Sequence, residues 1–194
     1  MWLYTASPSS FDRESALLRG TLVHRLMQSL PDIAPEYRSE AARLYLARAG
    51  KDVHEKARDE IAAQVFGILD NPQFQPLFAQ GSRAEVPIVG RFPGSSKTWV
   101  VSGQVDRLVV IDDAVLIADY KTNRPAPKSL DEALAAHGGY VRQLALYRTV
   151  LAAIYPGRAI RTALIWTDTA SLMDIPLKTL DRALDADSAM LTPA

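Results

Sequence analysis

Two opposite charges close an apolar stretch in the middle of the chain. In the segment LIADYKT, Asp119 and Lys121 follow hydrophobic residues that are typical of a buried strand. Residues two apart in a strand point to the same face, so the carboxylate and the ammonium share a face that Tyr120 does not. One interpretation is an exposed ion pair at the end of a strand, which would contribute little to stability. The other is a chemical site, in which the carboxylate could bind a cation.

A second carboxylate is predicted beside the first. Asp106, in GQVDRLVVI, lies near the start of the preceding strand, and Asp112-Asp113 is typical of a tight turn between the two strands. Pairing about this turn places residue 106 close to residue 119 or 120. Two carboxylates at that distance repel each other unless a cation lies between them. The pairing therefore favours a site over a surface ion pair.

Two more residues are candidates for the same site. His24, in RGTLVHRL, lies in a predicted helix and is either a half-buried histidine on an apolar face or a neutral imidazole ligand of a divalent ion. Glu85 is the first residue of the strand candidate EVPIV. It is either a surface residue or another acidic residue of the site, one strand away from Asp106. His54 and His137 have no companions at ligand spacing, so we expect both on the surface.

A later helix contributes polar residues on one face. Gln143 and Tyr147 are spaced i, i+4 and therefore share a face, either as a helix surface pair with the tyrosine half-buried or as part of the site. Arg124, Lys128 and Arg142 flank the same segments and are expected to be exposed.

The periodicity of the chain predicts the elements that position these residues. Helices are expected over residues 16–30, 36–49, 53–69, 139–155 and 177–186, with a frayed tail at 188–194 and a long connection at 123–139 that holds one short helix. Strands are expected over 85–89, 98–101 with 104–111, 114–120 and 160–166, with a turn-rich loop at 90–97. Gly103 is interpreted as a bulge or a point of close approach. The core order is αβββαβ with helices inserted after the first, in one mixed α/β domain.

The composition excludes several classes of protein. Lys plus Arg and Asp plus Glu each number 22, so the net charge is zero, which gives no support to an autonomous DNA-coating protein. The absence of cysteine excludes disulfides, iron–sulfur clusters and cysteine zinc sites. We find no apolar run long enough for a membrane span and no signal peptide, so we expect a cytoplasmic protein with no membrane partner.

These segments, in this order, resemble the RecB-type branch of the PD-(D/E)XK nucleases. The resemblance rests on RGTLVH, GQVDRL, ADYKT and YVRQLALY, runs from about residue 15 to about residue 180, and is closest to the C-terminal nuclease domains of the AddA family, alphaproteobacterial type. AddA-type proteins are helicase–nuclease subunits of AddAB complexes in double-strand-break repair. The resemblance implies a restriction-endonuclease-like αβββαβ core, a central mixed sheet flanked by helices, with inserted N-terminal helices.

The resemblance also implies a metal site. It implies that His24, Asp106 and Asp119 ligate a divalent ion, with the main-chain carbonyl of Tyr120 as a further oxygen. Such ligands suit Mg²⁺, and one imidazole makes Mn²⁺ acceptable. Lys121 would hold or polarise the attacking water, or neutralise developing charge on the phosphate.

The remaining implied roles concern the walls of the site and the DNA. Gln143 and Tyr147 would line the site as catalytic residues and contact the DNA backbone. Glu85 would match a further acidic catalytic position, and Arg124 and Arg142 would lie near the nucleic acid.

The implied activity is that of a metal-dependent deoxyribonuclease, an exonuclease that cuts DNA strands unwound by a helicase. Its partners would be DNA as single strands or unwound ends, the AddA helicase portion in cis and an AddB-type subunit, at the bacterial nucleoid. The chain has no Walker A sequence, so no ATP site is expected in it, and it would be a piece of a larger helicase–nuclease. Two alternatives stay open: a non-catalytic DNA-end-binding or subunit-docking module of the same fold, and a stand-alone phage-type exonuclease.

Overall fold

The computed structural model describes residues 10–93 and 98–190, with side chains described for 12–91 and 100–185. The chain divides into two compact units, Met1–Gly67 and Ile68–Ala194. The centre of the predicted loop at 90–97 and the end of the predicted tail at 188–194 lie outside the described residues. No helix in the described ranges is both long and apolar enough to cross a membrane.

The first unit is helical. Its elements are α1 (Ser10–Ser29), a 3₁₀ turn (Leu30–Asp32), α2 (Pro35–Ala49) and most of α3 (Glu55–Leu69). The buried residues of α1 recur at helical spacing, namely Leu22, Val23, Leu26 and Met27. Pro35 stands at the start of α2, where its missing N–H costs nothing, and the Gly50 N–H ends that helix by donating to the Leu46 carbonyl.

The second unit is built on one five-stranded sheet. A 3₁₀ helix (Pro72–Phe78) precedes the strands β1 (Arg83–Pro93), β2 (Thr98–Val110), β3 (Ala114–Lys121), β4 (Ala159–Trp166) and β5 (Ser171–Asp174), which lie in that order across the sheet. The pairs β1–β2, β2–β3 and β4–β5 are antiparallel, and β3–β4 is parallel. A parallel pair requires a crossover connection, and α4 (Leu130–Ile154) provides it before α5 (Leu177–Met190) closes the unit.

The core of the second unit lies between α4 and one face of the sheet. Apolar residues of α4, among them Leu144 and Leu151, are fully buried in one cluster with Ile117 of β3. The backbone of β1 approaches α4 closely, since a Cβ atom on Gly90 would lie 2.6 Å from a methyl carbon of Val150. The predicted mixed α/β fold class, with a mixed sheet and helices around it, is confirmed.

Several predicted boundaries differ from the structure. The strands of the first hairpin are longer than expected, because β1 begins at Arg83 and continues to Pro93. Strand β5 was not predicted. Helix α4 begins at Leu130, capped by the Ser129 side chain that accepts the Glu132 N–H at 3.2 Å, and it continues through a kink at His137 instead of forming a separate short helix. Residues 188–190 of the predicted tail belong to α5.

Candidate active site

The carboxylates of β2 and β3 lie beside each other. Arg107 pairs with Ala118 in the β2–β3 ladder, so Asp106 and Asp119 are the next residues on the two strands, close to the arrangement that the turn predicted. The main-chain N–H of Tyr120 donates to Asp106 Oδ2 at 2.7 Å. Asp106 and Asp119 are 9% and 4% exposed, so two acidic groups are buried next to each other.

Glu85 of β1 lies on the other side of Asp106. Val86 pairs with Val105 across β1 and β2, which places Glu85 opposite Asp106. A carboxylate oxygen of Glu85 lies within 4.8 Å of one of Asp106. Glu85 also has a positive φ of 52°, a conformation that is uncommon for residues other than glycine. We call Glu85, Asp106 and Asp119, on three adjacent strands, the carboxylate row.

The electrostatics of the carboxylate row favour a cation. Burial, followed by the negative charge of Asp119, raises the pKa of Asp106 from 3.8 to about 8. Glu85 raises this pKa further, while the Tyr120 N–H and the Lys121 ammonium lower it. Oxygen ligands of this kind suit hard divalent ions such as Mg²⁺. The row therefore has the donor set and the excess negative charge that a divalent cation would relieve.

Lys121 lies at the end of the row. Its ammonium pairs with Asp119 Oδ2, and the two side chains are 12% and 5% exposed, so the pair is buried rather than exposed at a strand end. Apart from this ion pair, Asp119 Oδ2 is buried without a hydrogen bond from the described residues. The Lys121 Nζ atom also lies 3.8 Å from the centre of the Tyr140 ring. In the described part of the chain, the Lys121 ammonium is thus the cation that balances the buried Asp119 carboxylate.

Gln143 and Tyr147 share a face of α4, as their spacing predicts. Gln143 Nε2 donates to the Tyr147 hydroxyl oxygen at 2.9 Å, and the Gln104 N–H of β2 donates to the same oxygen at 3.3 Å. Gly103 makes this approach possible, because a Cβ atom there would lie only 2.3 Å from that oxygen. The interpretation of Gly103 as a point of close approach is confirmed.

Comparison with known protein families identifies the chain. Residues 3–183 match the sequence profile of the PD-(D/E)XK nuclease superfamily. The chain belongs to the PD-(D/E)XK nuclease superfamily. Nucleases of this superfamily generally use divalent metal ions, and the oxygen donors of the carboxylate row fit such an ion.

One solved structure supports the fold of this member of the PD-(D/E)XK nuclease superfamily. A crystal structure from Eubacterium rectale, described as "Putative exonuclease", matches with a TM-score of 0.52 at 14% identity, over 97% of this chain and 66% of that one. The chain thus spans less than two thirds of that protein, and at this identity the likeness shows the fold alone. The structures of SSO0001 (TM-score 0.38, 16% identity, 93% of this chain and 88% of that one) and of VC1899 from Vibrio cholerae (0.32, 14%, 95% and 52%) are too distant to carry an argument. No curated protein matches significantly.

Three further predicted site residues are His24, Arg124 and Arg142. His24 is half-buried on α1 in the first unit. Arg124 follows β3 and pairs with Asp168, Nε to Oδ1, at 2.9 Å, while Arg142 is exposed on α4. Their roles in binding metal or DNA stay predictions, as do those of Gln143 and Tyr147.

The side chain of Tyr120 points away from the acidic face. Its hydroxyl oxygen accepts from Arg107 Nε at 3.5 Å, and burial raises its pKa to about 12. Arg107 is almost fully buried, lies 5.0 Å from the centre of the Phe78 ring and donates to Ser82 Oγ at 3.2 Å. The back of β2 and β3 is therefore fixed by contacts that sequence reasoning did not find.

An aromatic group beside Lys121 was also missed. His137 is half-buried rather than on the surface, and its ring stacks on that of Tyr140 at 5.3 Å and lies 5.6 Å from that of Trp166. The prediction of a surface position for His137 is therefore wrong, because the ring also lies against Trp166, a partner distant in sequence. Tyr140 was detectable, since it stands three residues before Gln143 and on the same helical face.

Proposed function

We propose that this chain is a divalent-metal-dependent deoxyribonuclease domain that hydrolyses phosphodiester bonds of DNA. The observation that carries the proposal is the carboxylate row, in which Asp106 and Asp119 are buried, next to Lys121 in a chain of the PD-(D/E)XK nuclease superfamily. A purely structural site would gain nothing from three acidic groups brought together on adjacent strands, since their mutual repulsion opposes folding.

Asp106 and Asp119 are the proposed main ligands. Glu85 adds a third carboxylate, and the resemblance adds His24 and the main-chain carbonyl of Tyr120 as further proposed ligands. Mg²⁺ is the proposed ion, and Mn²⁺ is an acceptable substitute. When bound, such an ion supplies Lewis acidity and charge neutralisation at a phosphate.

Lys121 contributes a positive charge from the same face as Asp119. A lysine ammonium with three donors can orient the attacking water or stabilise negative charge that develops on the phosphate oxygens. Preorganisation matters here, because a buried charge that is already in place needs no rearrangement when the transition state forms. We propose that Gln143, Tyr147, Arg142 and Arg124 contact the DNA backbone around this position.

We further propose that the DNA arrives from a helicase. In this proposal the substrate is a single strand or an unwound duplex end, delivered by an AddA-type helicase portion of the same protein with an AddB-type subunit, during end processing for recombinational repair in the bacterial cytoplasm. A net charge of zero supports tethered delivery, because a linked substrate is present at a high effective concentration and need not be held tightly. The chain by itself should then cleave DNA weakly.

A cleavage assay with matched variants tests the nuclease proposal. The chain is incubated with end-labelled single- and double-stranded DNA in Mg²⁺, Mn²⁺ or EDTA, beside Asp106→Ala and Lys121→Ala. Asp113→Ala is the control, because Asp113 is exposed in the β2–β3 turn. We expect metal-dependent cleavage by the wild type and the control, reduced by a factor of about 10²–10³ in the two site variants.

Two outcomes would contradict the proposal. If the wild type and both site variants leave the DNA equally intact in every metal, the chain by itself does not cleave DNA. If the wild type binds DNA ends with metal present but cuts none, the non-catalytic binding module is the better interpretation.

A further inference from the structure

The Lys121 ammonium has two partners of different chemistry. One is the Asp119 carboxylate, and the other is the face of the Tyr140 ring, 3.8 Å from its centre. A cation within about 6 Å of a ring centre is attracted by the negative face of the ring, more strongly when water is excluded. The Lys121 side chain is 12% exposed, so the contact with the ring is largely desolvated.

The ring is itself held from three directions. The Tyr140 hydroxyl donates to Asn123 Oδ1 at 3.1 Å. One side of the ring stacks on His137 with an angle of 15° between the planes, and the ring of fully buried Trp166 lies 6.3 Å away. These partners come from the segment after β3, from the kink of α4 and from the end of β4. The ring is therefore a fixed surface rather than a mobile side chain.

The backbone of Lys121 is anchored next to the same group. Trp166 is the partner of Lys121 in the parallel β3–β4 register, and the N–H of buried Thr167 donates to the Lys121 carbonyl at 2.9 Å. The Lys121 side chain is therefore fixed at its main-chain end by β4 and contacts the Tyr140 ring at its ammonium end. Few side-chain rotamers satisfy both contacts.

We propose that Tyr140 is a positioning residue that holds the Lys121 ammonium in place for phosphodiester hydrolysis; this rests on the nuclease function proposed above. An aromatic face suits this task better than a second carboxylate. It attracts the ammonium without neutralising its charge, so that charge stays available to a phosphate. A carboxylate ligand of a metal shares its charge with that metal, whereas the contact with the ring does not depend on metal.

Steady-state kinetics separate positioning from substrate binding. Tyr140→Phe keeps the ring, and Tyr140→Leu removes it. In Mg²⁺ with single-stranded DNA we expect kcat of Tyr140→Phe within about twofold of wild type, and kcat of Tyr140→Leu lowered about tenfold, or about 1.4 kcal/mol, at unchanged KM. Tyr37→Leu is the control, since this tyrosine is 66% exposed on α2, and it should match the wild type.

Three kinetic results would overturn the inference. A wild-type kcat in Tyr140→Leu would show that the ring is not needed to position Lys121 for the reaction. Equal loss in Tyr140→Phe and Tyr140→Leu would assign the role to the hydroxyl and not to the ring. A raised KM with unchanged kcat would mean that Tyr140 contacts DNA. Circular dichroism checks that each variant folds, and Tyr140→Met replaces Tyr140→Leu if the latter does not.

A second measurement needs neither DNA nor metal. The ring should shift the NMR resonances of the Lys121 ε-methylene protons upfield, with the resonances assigned by their loss in Lys121→Arg. We expect the shift in the wild type and in Tyr140→Phe, and its disappearance in Tyr140→Leu. Absence of the shift in the wild type overturns the inference whatever the kinetics. A protein that shows the shift but cuts no DNA refutes the nuclease function and leaves the Lys121–Tyr140 contact standing.

Discussion

Replacing Asp106 by asparagine should make the metal-free protein more stable while it abolishes cleavage. The change removes a group whose ionisation is disfavoured in the folded protein, and it keeps the shape of the side chain. The Asn carbonyl oxygen can still accept the Tyr120 N–H, which Asp106 Oδ2 accepts at 2.7 Å. The amide carries no proton that must be lost or kept, so the penalty that burial and the neighbouring Asp119 place on ionisation is absent.

The size of the effect follows from the pKa of Asp106, which burial and Asp119 raise from 3.8 to about 8. Between these pH values the folded protein keeps a proton that the unfolded chain has lost, so the free energy of unfolding falls as pH rises. The penalty is absent below the lower value and constant above the higher one. At pH 7 it spans about three pH units at about 1.36 kcal/mol each, an upper limit of about 4 kcal/mol. Relaxation around the ionised group reduces this, and we expect stabilisation by about 2–4 kcal/mol.

Urea unfolding in EDTA measures this difference at pH 7. The fluorescence of Trp166 reports on the second unit, because this side chain is fully buried there. Asp113→Asn, in the exposed turn, is the control and should change the free energy of unfolding by less than about 0.5 kcal/mol. The same Asp106→Asn protein is then assayed for DNA cleavage in Mg²⁺.

Two results would refute the reasoning. The first is an Asp106→Asn protein that is equally or less stable than the wild type at pH 7 without metal. The second is a stability difference that fails to shrink as the pH is lowered towards 3.8, where the unfolded chain also begins to bind the proton. Either result would mean that burial and the neighbouring Asp119 do not disfavour ionisation of Asp106 in the folded protein.

Three further predictions concern the metal and the packing around the site. Adding Mg²⁺ in excess of its Kd should raise the free energy of unfolding of the wild type by RT ln(1 + [Mg²⁺]/Kd). The free energy of unfolding of Asp119→Asn should not rise, and urea titrations at several Mg²⁺ concentrations measure both. Gly103→Ala should lose about 1–3 kcal/mol in urea unfolding, since its Cβ would lie 2.3 Å from a tyrosine hydroxyl, whereas Gly139→Ala meets nothing within 4 Å and should not lose stability. Arg107→Leu should lose about 2–4 kcal/mol by removing buried hydrogen bonds and a ring contact, and Arg83→Leu, exposed at the start of β1, should be nearly neutral by the same measurement.

The acidic centre of the site was predictable because it depends on local rules. The Asp112-Asp113 turn fixes the register of β2 against β3, and side chains in strands alternate with a period of two. These two rules suffice to bring Asp106 opposite Asp119 and to put Lys121 on the face of Asp119. Helix ends at proline and glycine were predictable for the same reason, since they depend on the backbone of one or two residues.

Other features depend on residues that are distant in sequence. Strand β5 has four residues, too few to show an alternating pattern. It forms by antiparallel pairing with β4. Gly138 and Gly139 interrupt the helical pattern, yet packing continues α4 across them with a kink at His137. The ring of His137 stacks on Tyr140, three residues later, and also lies near Trp166; no local spacing indicates the contact with Trp166.

The hydrogen bond from Tyr120 to Asp106 links the fold to the chemistry. The paired residues of β2 and β3 run from the turn to Arg107 and Ala118, and beyond them the Tyr120 N–H finds its acceptor in a carboxylate. The Asp106 carboxyl oxygen thus takes the place of a main-chain carbonyl as the acceptor, because a buried N–H without a partner would cost about 1–3 kcal/mol. The carboxylate is therefore held at a defined place before any cation or substrate arrives. Removing the whole side chain would confound lost repulsion with a lost hydrogen bond, which is why asparagine is the informative replacement at this position.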